Sequence, residues 1–308
     1  MAARVPDVAA VGHFSIDFLK LPSSPTAYRI LGGAVAYVSL ITRKLGGSAS
    51  VMSKVGADFP DACMKRLRDE GVDVSGVVKV LSEGTTSFEL TYNEDLSSRS
   101  LKLKAQGAPL TIDDLPKTFR AKVIHIAPIG AEIPFDVIER LREFTDCLSI
   151  DPQGMTRRFD PEGNVLCCVQ IDKRILPLID IYKSSHEEIQ VLTGQSDLNK
   201  ALKAVHDFGP KIVITTMGAQ GSVLSLDGEV CKVQACKPTR VVDPTGAGDV
   251  FIGAFLTELT RKKDSFWCAC VGSAAASLVV EDVGTRFFGE KKEIYRRATA
   301  IYEKEIKH

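Results

Sequence analysis

The chain has no surplus of charge of either sign. Lys plus Arg and Asp plus Glu both number 39 in 308 residues. Binding to nucleic acid through bulk positive charge is therefore excluded, although a local basic patch is not. No two cysteines stand at C-x-x-C spacing: Cys63, Cys147, Cys167, Cys168, Cys231, Cys236, Cys268 and Cys270 lack the arrangement of a structural zinc site. Most sit in apolar stretches such as "DCLSID" and "FWCACVGSAAASLVV", which suits buried thiols in a reducing compartment. Long hydrophobic runs are missing too. The longest, Trp267 to Val280, is rich in Ala, Gly and Ser and too short to cross a bilayer. Pro6 and Asp7 precede a very short apolar run, so the start reads as a first strand and not as a secretory signal. There is no N-x-[ST] sequon, internal repeat or low-complexity linker. The expectation is one cytoplasmic domain over 1–308, with no membrane and no nucleic-acid partner.

Familiar nucleotide fingerprints are also absent. GxxxxGK[ST] does not occur. After Gly246 and Gly248 the third glycine of G-x-G-x-x-G is replaced by Phe251, so a dinucleotide-binding fold lacks its signature. "HDFG", His206 to Gly209, contains the protein-kinase tripeptide without its catalytic loop. It reads as the end of an amphipathic helix before Pro210.

What is present is alternation. "DVAAVG", "SASVMSKVG", "AKVIHIAPIG", "CLSID", "IDIYKSS" and "KIVITT" read as apolar strands. Between them stand amphipathic helices such as "GAVAYVSLITRKLG", "DFPDACMKRLRDEG" and "LNKALKAVHDFG", and helices from Ala247, Asp264 and about Glu290 close the chain. This pattern predicts an α/β three-layer sandwich with a mainly parallel sheet. One region breaks it. Ser82 to Lys104 reads as two alternating strands around "NEDLSS", after the strand-like "DVSGVVKV". The expectation is a small β lid built from inserted strands around 13–20 and 72–104.

"DPTGAGDVFIGAF", Asp243 to Phe255, carries the chemistry. Gly246, Ala247 and Gly248 open an apolar helix whose bare first-turn amides attract an anion. Asp249 stands in that same turn. The two are compatible if the amides hold a phosphoryl group while the carboxylate takes a proton from the attacking hydroxyl. "TTMGAQGSVL", Thr215 to Leu224, puts two glycines after a strand, as a hairpin turn or as a loop that admits phosphate. In "GHFSIDF" the polar His13, Ser15 and Asp17 alternate with Phe14, Ile16 and Phe18, which turns Asp17 toward a cleft.

Taken in order, "LGGAVAYVSLITRKLGG", "HEEIQVLTG", "TMGAQG" and "DPTGAGDVFIGAF" resemble the signatures of the ribokinase-like (PfkB) family of small-molecule kinases, over nearly the whole chain. The resemblance implies a ribokinase-like fold and transfer of the γ-phosphoryl of ATP, with Mg²⁺, to a hydroxyl. By it Asp249 is the base and Gly246, Ala247 and Gly248 the anion hole. Asp17, Gly32, Gly33 and Tyr37 face the substrate. Thr216, Gly218, Gly221 and Ser185 lie along the nucleotide. Glu188 acts through water on Mg²⁺, and Asp243 and Thr245 attend a monovalent cation such as K⁺. Gln153, Arg157 and Glu132 are further pocket candidates. Two departures stand out. Ser185 replaces the Asn of the family's acidic segment, and Tyr37 replaces the Asn that ribose kinases carry four residues after the glycine pair. "GGAVAY" with "DPQGMTR" resembles the inositol-kinase branch, so the implied substrate is a sugar or polyol. A nucleoside, or a catalytically silent metabolite-binding protein, is the alternative. The lid would supply closure and a homodimer contact.

Overall fold

The computed structural model describes residues 5–167 and 171–306. The chain opens with β1 (Val8–Val11), β2 (Ser15–Lys20), β3 (Tyr28–Gly32), α1 (Ala34–Lys44), β4 (Ala49–Gly56), α2 (Asp61–Asp69) and β5 (Asp73–Val80). Then come β6 (Ser87–Tyr92), β7 (Arg99–Ala105), β8 (Val123–Ile126), α3 (Phe135–Arg142), β9 (Leu148–Ile150), β10 (Arg157–Phe159) and β11 (Val165–Cys167). The remainder holds β12 (Ile181–Ser185), α4 (His186–Thr193), α5 (Leu198–Asp207), β13 (Ile212–Thr216), β14 (Ser222–Leu226) and β15 (Glu229–Val233). Three helices end it: α6 (Ala247–Leu259), α7 (Ser265–Val279) and α8 (Lys291–Ile306).

Nine strands form one sheet in the order β15-β14-β13-β12-β9-β8-β1-β4-β5. Every neighbouring pair from β13 across to β5 is parallel, whereas β14 and β15 run antiparallel at one edge. Alternate residues feed two cores, because successive side chains of a strand point to opposite faces. Val8, Ala10 and Ile181 pack with α1, α6 and α7, while Ala9, Val11 and Tyr182 pack with α3, α4 and α5. Both faces are covered, so the strands read as near-continuous apolar runs. Of the cysteines, Cys268 and Cys270 are buried, while Cys63, Cys147, Cys231 and Cys236 are only half-buried. Cys168 and the side chain of Cys167 lie outside the described part.

The lid is a separate four-stranded sheet, β3-β2-β6-β7. Its make-up departs from expectation at two points. β5 is no part of it: the Val-rich "DVSGVVKV" pairs parallel with β4 as the edge of the large sheet. β3 lies outside the segments expected to form the lid, yet it pairs antiparallel with β2. The "GAQG" segment connects the antiparallel β13 and β14, so it is a hairpin turn, placed at the carboxyl end of β13.

Helix α6 is wedged between α1 and α7, and glycine makes the close approach possible. A Cβ on Gly253 would stand 2.6 Å from Ile41 Cγ2 and 3.0 Å from Val38 Cα. One on Gly272 of α7 would stand 2.9 Å from the Phe251 carbonyl oxygen. Gly253→Val is expected to lower stability in urea unfolding by about 1–3 kcal/mol, the usual cost of overpacking. A variant as stable as the parent would mean that α1 can retreat freely.

Candidate active site

Close neighbours dictate the two glycines that open α6. Gly246, the residue before the helix, has φ +78°, a left-handed conformation that favours glycine. A Cβ there would also stand 2.3 Å from the ring of Tyr37. At Gly248 a Cβ would come within 2.7 Å of Lys183 Nζ. No side chain caps the helix, and the Ala247 amide turns back onto Pro244 O at 3.3 Å. The first-turn amides of Gly248 and Asp249 are left for a ligand, which suits an anion.

Asp249 stands beside these amides. Its Oδ1 accepts a hydrogen bond from Gln153 Nε2 at 2.9 Å. Gln153 Oε1 accepts from Arg157 Nη2 at 3.0 Å, and Arg157 Nη1 donates to Ile129 O at 3.0 Å. The turn after β9 thus aims a neutral amide at the carboxylate and braces that amide with a guanidinium. Burial pushes the Asp249 carboxyl up to about 6, and the charge of Asp151 adds to the rise, while Lys183, Gln153 and Arg157 oppose it. Asp249 is only half-buried, so it is reachable from the cleft despite the protein packed around it. The register of β12 against β9 pairs Tyr182 with Ile150 and so brings Lys183 level with Asp151. Both are buried, and their side chains form an ion pair. Burial opposes the Lys183 charge, yet the carboxylates of Asp151, Asp249 and Glu188 prevail and keep its pKa raised.

A cleft opens where β2, β3 and α1 meet. Ser15, Asp17, Tyr37, Gln153, Arg157 and Asp249 line one cleft, and Gly33, Thr245 and Gly246 touch it as well. Among the described residues, Asp17 Oδ1, Ser15 Oγ and Tyr37 Oη are buried there without a hydrogen-bond partner. Buried polar atoms are costly to leave unpaired, so three around one cleft mark a place for a polar ligand. Gly32 is required because a Cβ would overlap Asp17 Oδ2 at 2.0 Å. Phe88, Leu90 and Leu101 of the lid supply an apolar wall. The alternation expected for "GHFSIDF" holds at Ser15 and Asp17 and fails at its ends. His13 is tied to Thr86 Oγ1 at 2.8 Å and Ala108 O at 3.0 Å, and Phe18 is 37% exposed. Glu132 is not a pocket residue. It is buried and accepts from the amides of His13, Ile129 and Gly130, which bolts the root of β2 to the loop after β8.

The expected donor-side residues lie outside the walls of that cleft, at the carboxyl ends of β12 and β13, where Ser185 pairs with Thr216. Ser185 caps α4: its Oγ accepts from the Glu188 amide at 3.2 Å, and Glu188 Oε2 accepts from the Ser185 amide at 2.7 Å. Gly218 faces open space, and Gly221 is needed because a Cβ would sit 2.2 Å from Val233 O. Among the described residues no three His, Cys, Asp or Glu side chains gather as a metal cage. Mg²⁺ does not need one, since it keeps waters and takes one or two carboxylates plus donor phosphates. The other oxygen of Glu188 fits that mode. Asp243 is buried, with Oδ1 and Oδ2 accepting from the amides of Thr245 (2.9 Å) and Gly284 (2.8 Å). Its first visible task is to hold the turn before α6. A monovalent ion there would share those oxygens with backbone amides.

Lys183, Asp151 and Arg99 escaped the reading of motifs. A lysine inside the apolar strand "DIYKSS" was the available signal for the first. Arg99 of the lid donates to Tyr92 Oη at 3.1 Å, and Tyr92 Oη lies 3.0 Å from Thr245 Oγ1.

Burial pushes the Asp17 carboxyl up to about 6, against the pull of Ser15, Arg99 and Arg157. From about pH 4 to about pH 6 the folded protein therefore holds more protons than the unfolded chain at this site, and stability falls as pH rises through that window. Asp17→Asn cannot ionise. It is expected to stabilise the protein at about pH 7.5, relative to its effect at about pH 4, by on the order of 1–3 kcal/mol. Urea titrations at both pH values check this. Equal effects would clear Asp17 of the strain.

Comparison with known proteins agrees with this geometry. The chain is 29% identical over 281 residues to a cytidine kinase of Thermococcus kodakarensis, covering 90% of this chain and 97% of the relative. It is 28% identical over 312 residues to an inositol 3-kinase of Oryza sativa, covering 96% and 73%. Among solved structures it superposes on a pyrophosphate-dependent kinase of the ribokinase family, complexed with a pyrophosphate analog and myo-inositol. The TM-score is 0.79 and the identity 26%, over 94% of this chain and 99% of that one. Residues 5–292 match the pfkB family carbohydrate kinase, and the chain belongs to that family.

Proposed function

We propose that this kinase, whose family phosphorylates hydroxyls of sugars, polyols and nucleosides, takes a small polyol or sugar as acceptor, with ATP and Mg²⁺ as donor system. The observation that carries the reading is the set of unpartnered buried atoms, Asp17 Oδ1, Ser15 Oγ and Tyr37 Oη, facing one cleft with Gln153 and Arg157. A compact ring with hydroxyls on several sides can satisfy all of them at once. In this scheme Asp17 accepts from acceptor hydroxyls, and Asp249 takes the proton of the hydroxyl that attacks. The bare turn Gly246–Ala247–Gly248 and Lys183 answer the charge on the phosphoryl group. Bound Mg²⁺ and triphosphate supply the electrophile and its charge neutralisation, with Glu188, Thr216 and Gly218 on their side of the cleft. The inositol 3-kinase relative and the myo-inositol in the solved neighbour support a polyol.

A nucleoside is the second reading. It is favoured by the apolar wall of Phe88, Leu90 and Leu101 and by the cytidine kinase relative.

The test is a phosphorylation screen with myo-inositol, fructose, ribose and cytidine, each with ATP and with pyrophosphate. The highest kcat/KM is expected for a polyol or sugar. Cytidine in first place would hand the site to the second reading. Nucleotide binding without any product would make the protein a silent binder.

Asp249→Asn is expected to cut kcat by about 10²–10⁴-fold, the usual worth of a general base, with nucleotide affinity little changed. The parent's kcat should rise with pH through about 6, because the base must be deprotonated to act. Wild-type turnover in the purified variant would remove Asp249 from the mechanism.

A further inference from the structure

The turn after β9 leaves Gln153 little freedom. Asp151 caps the turn, accepting from the Gln153 amide nitrogen at 3.3 Å, and Pro152 opens it with a fixed φ. Thr156 Oγ1 donates to Gln153 O at 2.9 Å. The Gly154 amide donates to Pro128 O at 3.0 Å, and a Cβ on Gly154 would stand 2.4 Å from the Pro128 carbonyl carbon, so the turn is pressed against the loop after β8. The side chain is held at both ends as well. Nε2 donates to Asp249 Oδ1 at 2.9 Å, and Oε1 accepts from Arg157 Nη2 at 3.0 Å. Chemistry fixes which end is which. A guanidinium only donates, so it must face the amide oxygen, which leaves the NH₂ for Asp249. Turned over, the amide would set donor against donor at Arg157 and acceptor against acceptor at Asp249. Arg157 is itself tethered, its Nη1 donating to Ile129 O at 3.0 Å. One oxygen of Asp249 is therefore taken, while among the described residues no hydrogen bond engages Oδ2.

We propose that Gln153, locked by Arg157, is a positioning residue for the base: it reserves Asp249 Oδ1 and leaves Oδ2 as the oxygen that takes the acceptor's proton. The proposal rests on the kinase reading. In the step, the acceptor oxygen bonds the γ-phosphorus as the bond from that phosphorus to the bridging oxygen breaks, and the electron pair of that bond leaves with ADP. The acceptor's proton goes to Oδ2. A proton on Oδ1 would weaken the bond to Nε2, whereas one on Oδ2 leaves it in place. The same bond favours the ionised carboxylate, the form able to act as a base. A lysine or arginine in place of Gln153 would neutralise the base; an amide aims it and leaves its charge for the proton. Other groups act on Asp249 from every side. Burial raises its carboxyl and Asp151 of the same turn adds to the rise, while Lys183 of β12, Gln153 and Arg157 of β10 oppose it. Arg99 of β7 and the Tyr37 phenol of α1 feel its charge, and Asp17 of β2 lines the same cleft. Among the described residues Gln153 differs from all of these in touching Asp249 through a hydrogen bond, so its loss can be separated from theirs.

The experiment measures kcat and acceptor KM from about pH 5 to about pH 9 for wild type, Gln153→Met, Arg157→Met and the double variant, using the best acceptor of the screen. Gln153→Met is expected to move the acid limb of kcat up by about one to two pH units, the worth of a hydrogen bond to a charged group. Most of the loss seen at about pH 6 should then be recovered at about pH 9, with the acceptor KM within about threefold of wild type. Arg157→Met should shift the limb the same way, and should shift it less in the Gln153→Met background, because its route to the base is gone. An unmoved limb overturns the proposal. So does a loss confined to the acceptor KM, which would make Gln153 an acceptor contact, and so do fully additive shifts, which would mean that Arg157 acts by charge alone. A second measurement needs no acceptor. In protein carrying carbon-13 at the aspartate carboxyl carbons, the NMR signal lost in Asp249→Asn reports the base directly, and its midpoint should rise in Gln153→Met. A midpoint that stays in place overturns the proposal. If no acceptor is phosphorylated, the kinase reading fails separately and the carboxyl titration decides whether Gln153 governs Asp249. Melting curves report whether each variant is folded.

Discussion

Lys183 is an ammonium shut away from water, and the cleft is arranged around it. Its pair with Asp151 follows from the register of two adjacent parallel strands. That register lies deep in the sheet and cannot slip without turning whole strands over. Breaking such a pair from one side leaves a bare charge in a poorly solvated place, which typically costs about 3–5 kcal/mol. The cation in turn makes it tolerable for Asp151, Asp249 and Glu188 to converge. It also dictates the sequence opposite: Gly248 has no side chain because the amine fills the space where one would be. The "GAG" that opens α6 is thus written by its neighbours, one glycine by a tyrosine ring and a backbone angle, the other by a lysine.

Much of this was legible in the sequence, for identifiable reasons. The strand and helix alternation survives because both faces of the large sheet are buried, so the strands are apolar throughout. The start of α6 was legible because a positive φ, a bare first turn and an acid in that turn leave few choices of residue. Legibility ended where the answer depends on register between distant segments. Lys183 in "IYKSS" looks like the solvated end of a strand until β9 is set beside it. Arg99 in "SSRSLKLK" looks like one more surface cation. β3 was hidden because "AYRILGG" runs straight into a helix, and its antiparallel partner precedes it around a polar turn. Glu132 misled in the other direction. A buried acid near a cleft suggests a ligand, yet its oxygens are spent on three backbone amides.

The acceptor cleft is held at a cost to the fold. Asp17 and Asp249 both carry carboxyl groups pushed up by burial, and three polar atoms around the cleft lack partners among the described residues. Such groups are destabilising until something fills the space between them. The lid is anchored at one end by Glu132 at the root of β2 and reaches Thr245, before α6, at the other through Tyr92 and Arg99.

β1 and β2 are consecutive in the chain but belong to different sheets. Asp17 therefore rides on the lid, whereas Asp249 is fixed to a helix packed on the large sheet. In the proposed scheme an acceptor held by Asp17 would be presented to Asp249 by one body docking on another, and the geometry of that docking would decide which oxygen arrives within reach of that carboxylate. In that scheme regiochemistry would belong to the lid's wall, to residues such as Phe88, Leu90 and Leu101, and could drift through evolution while the turn at the start of α6 stays unchanged.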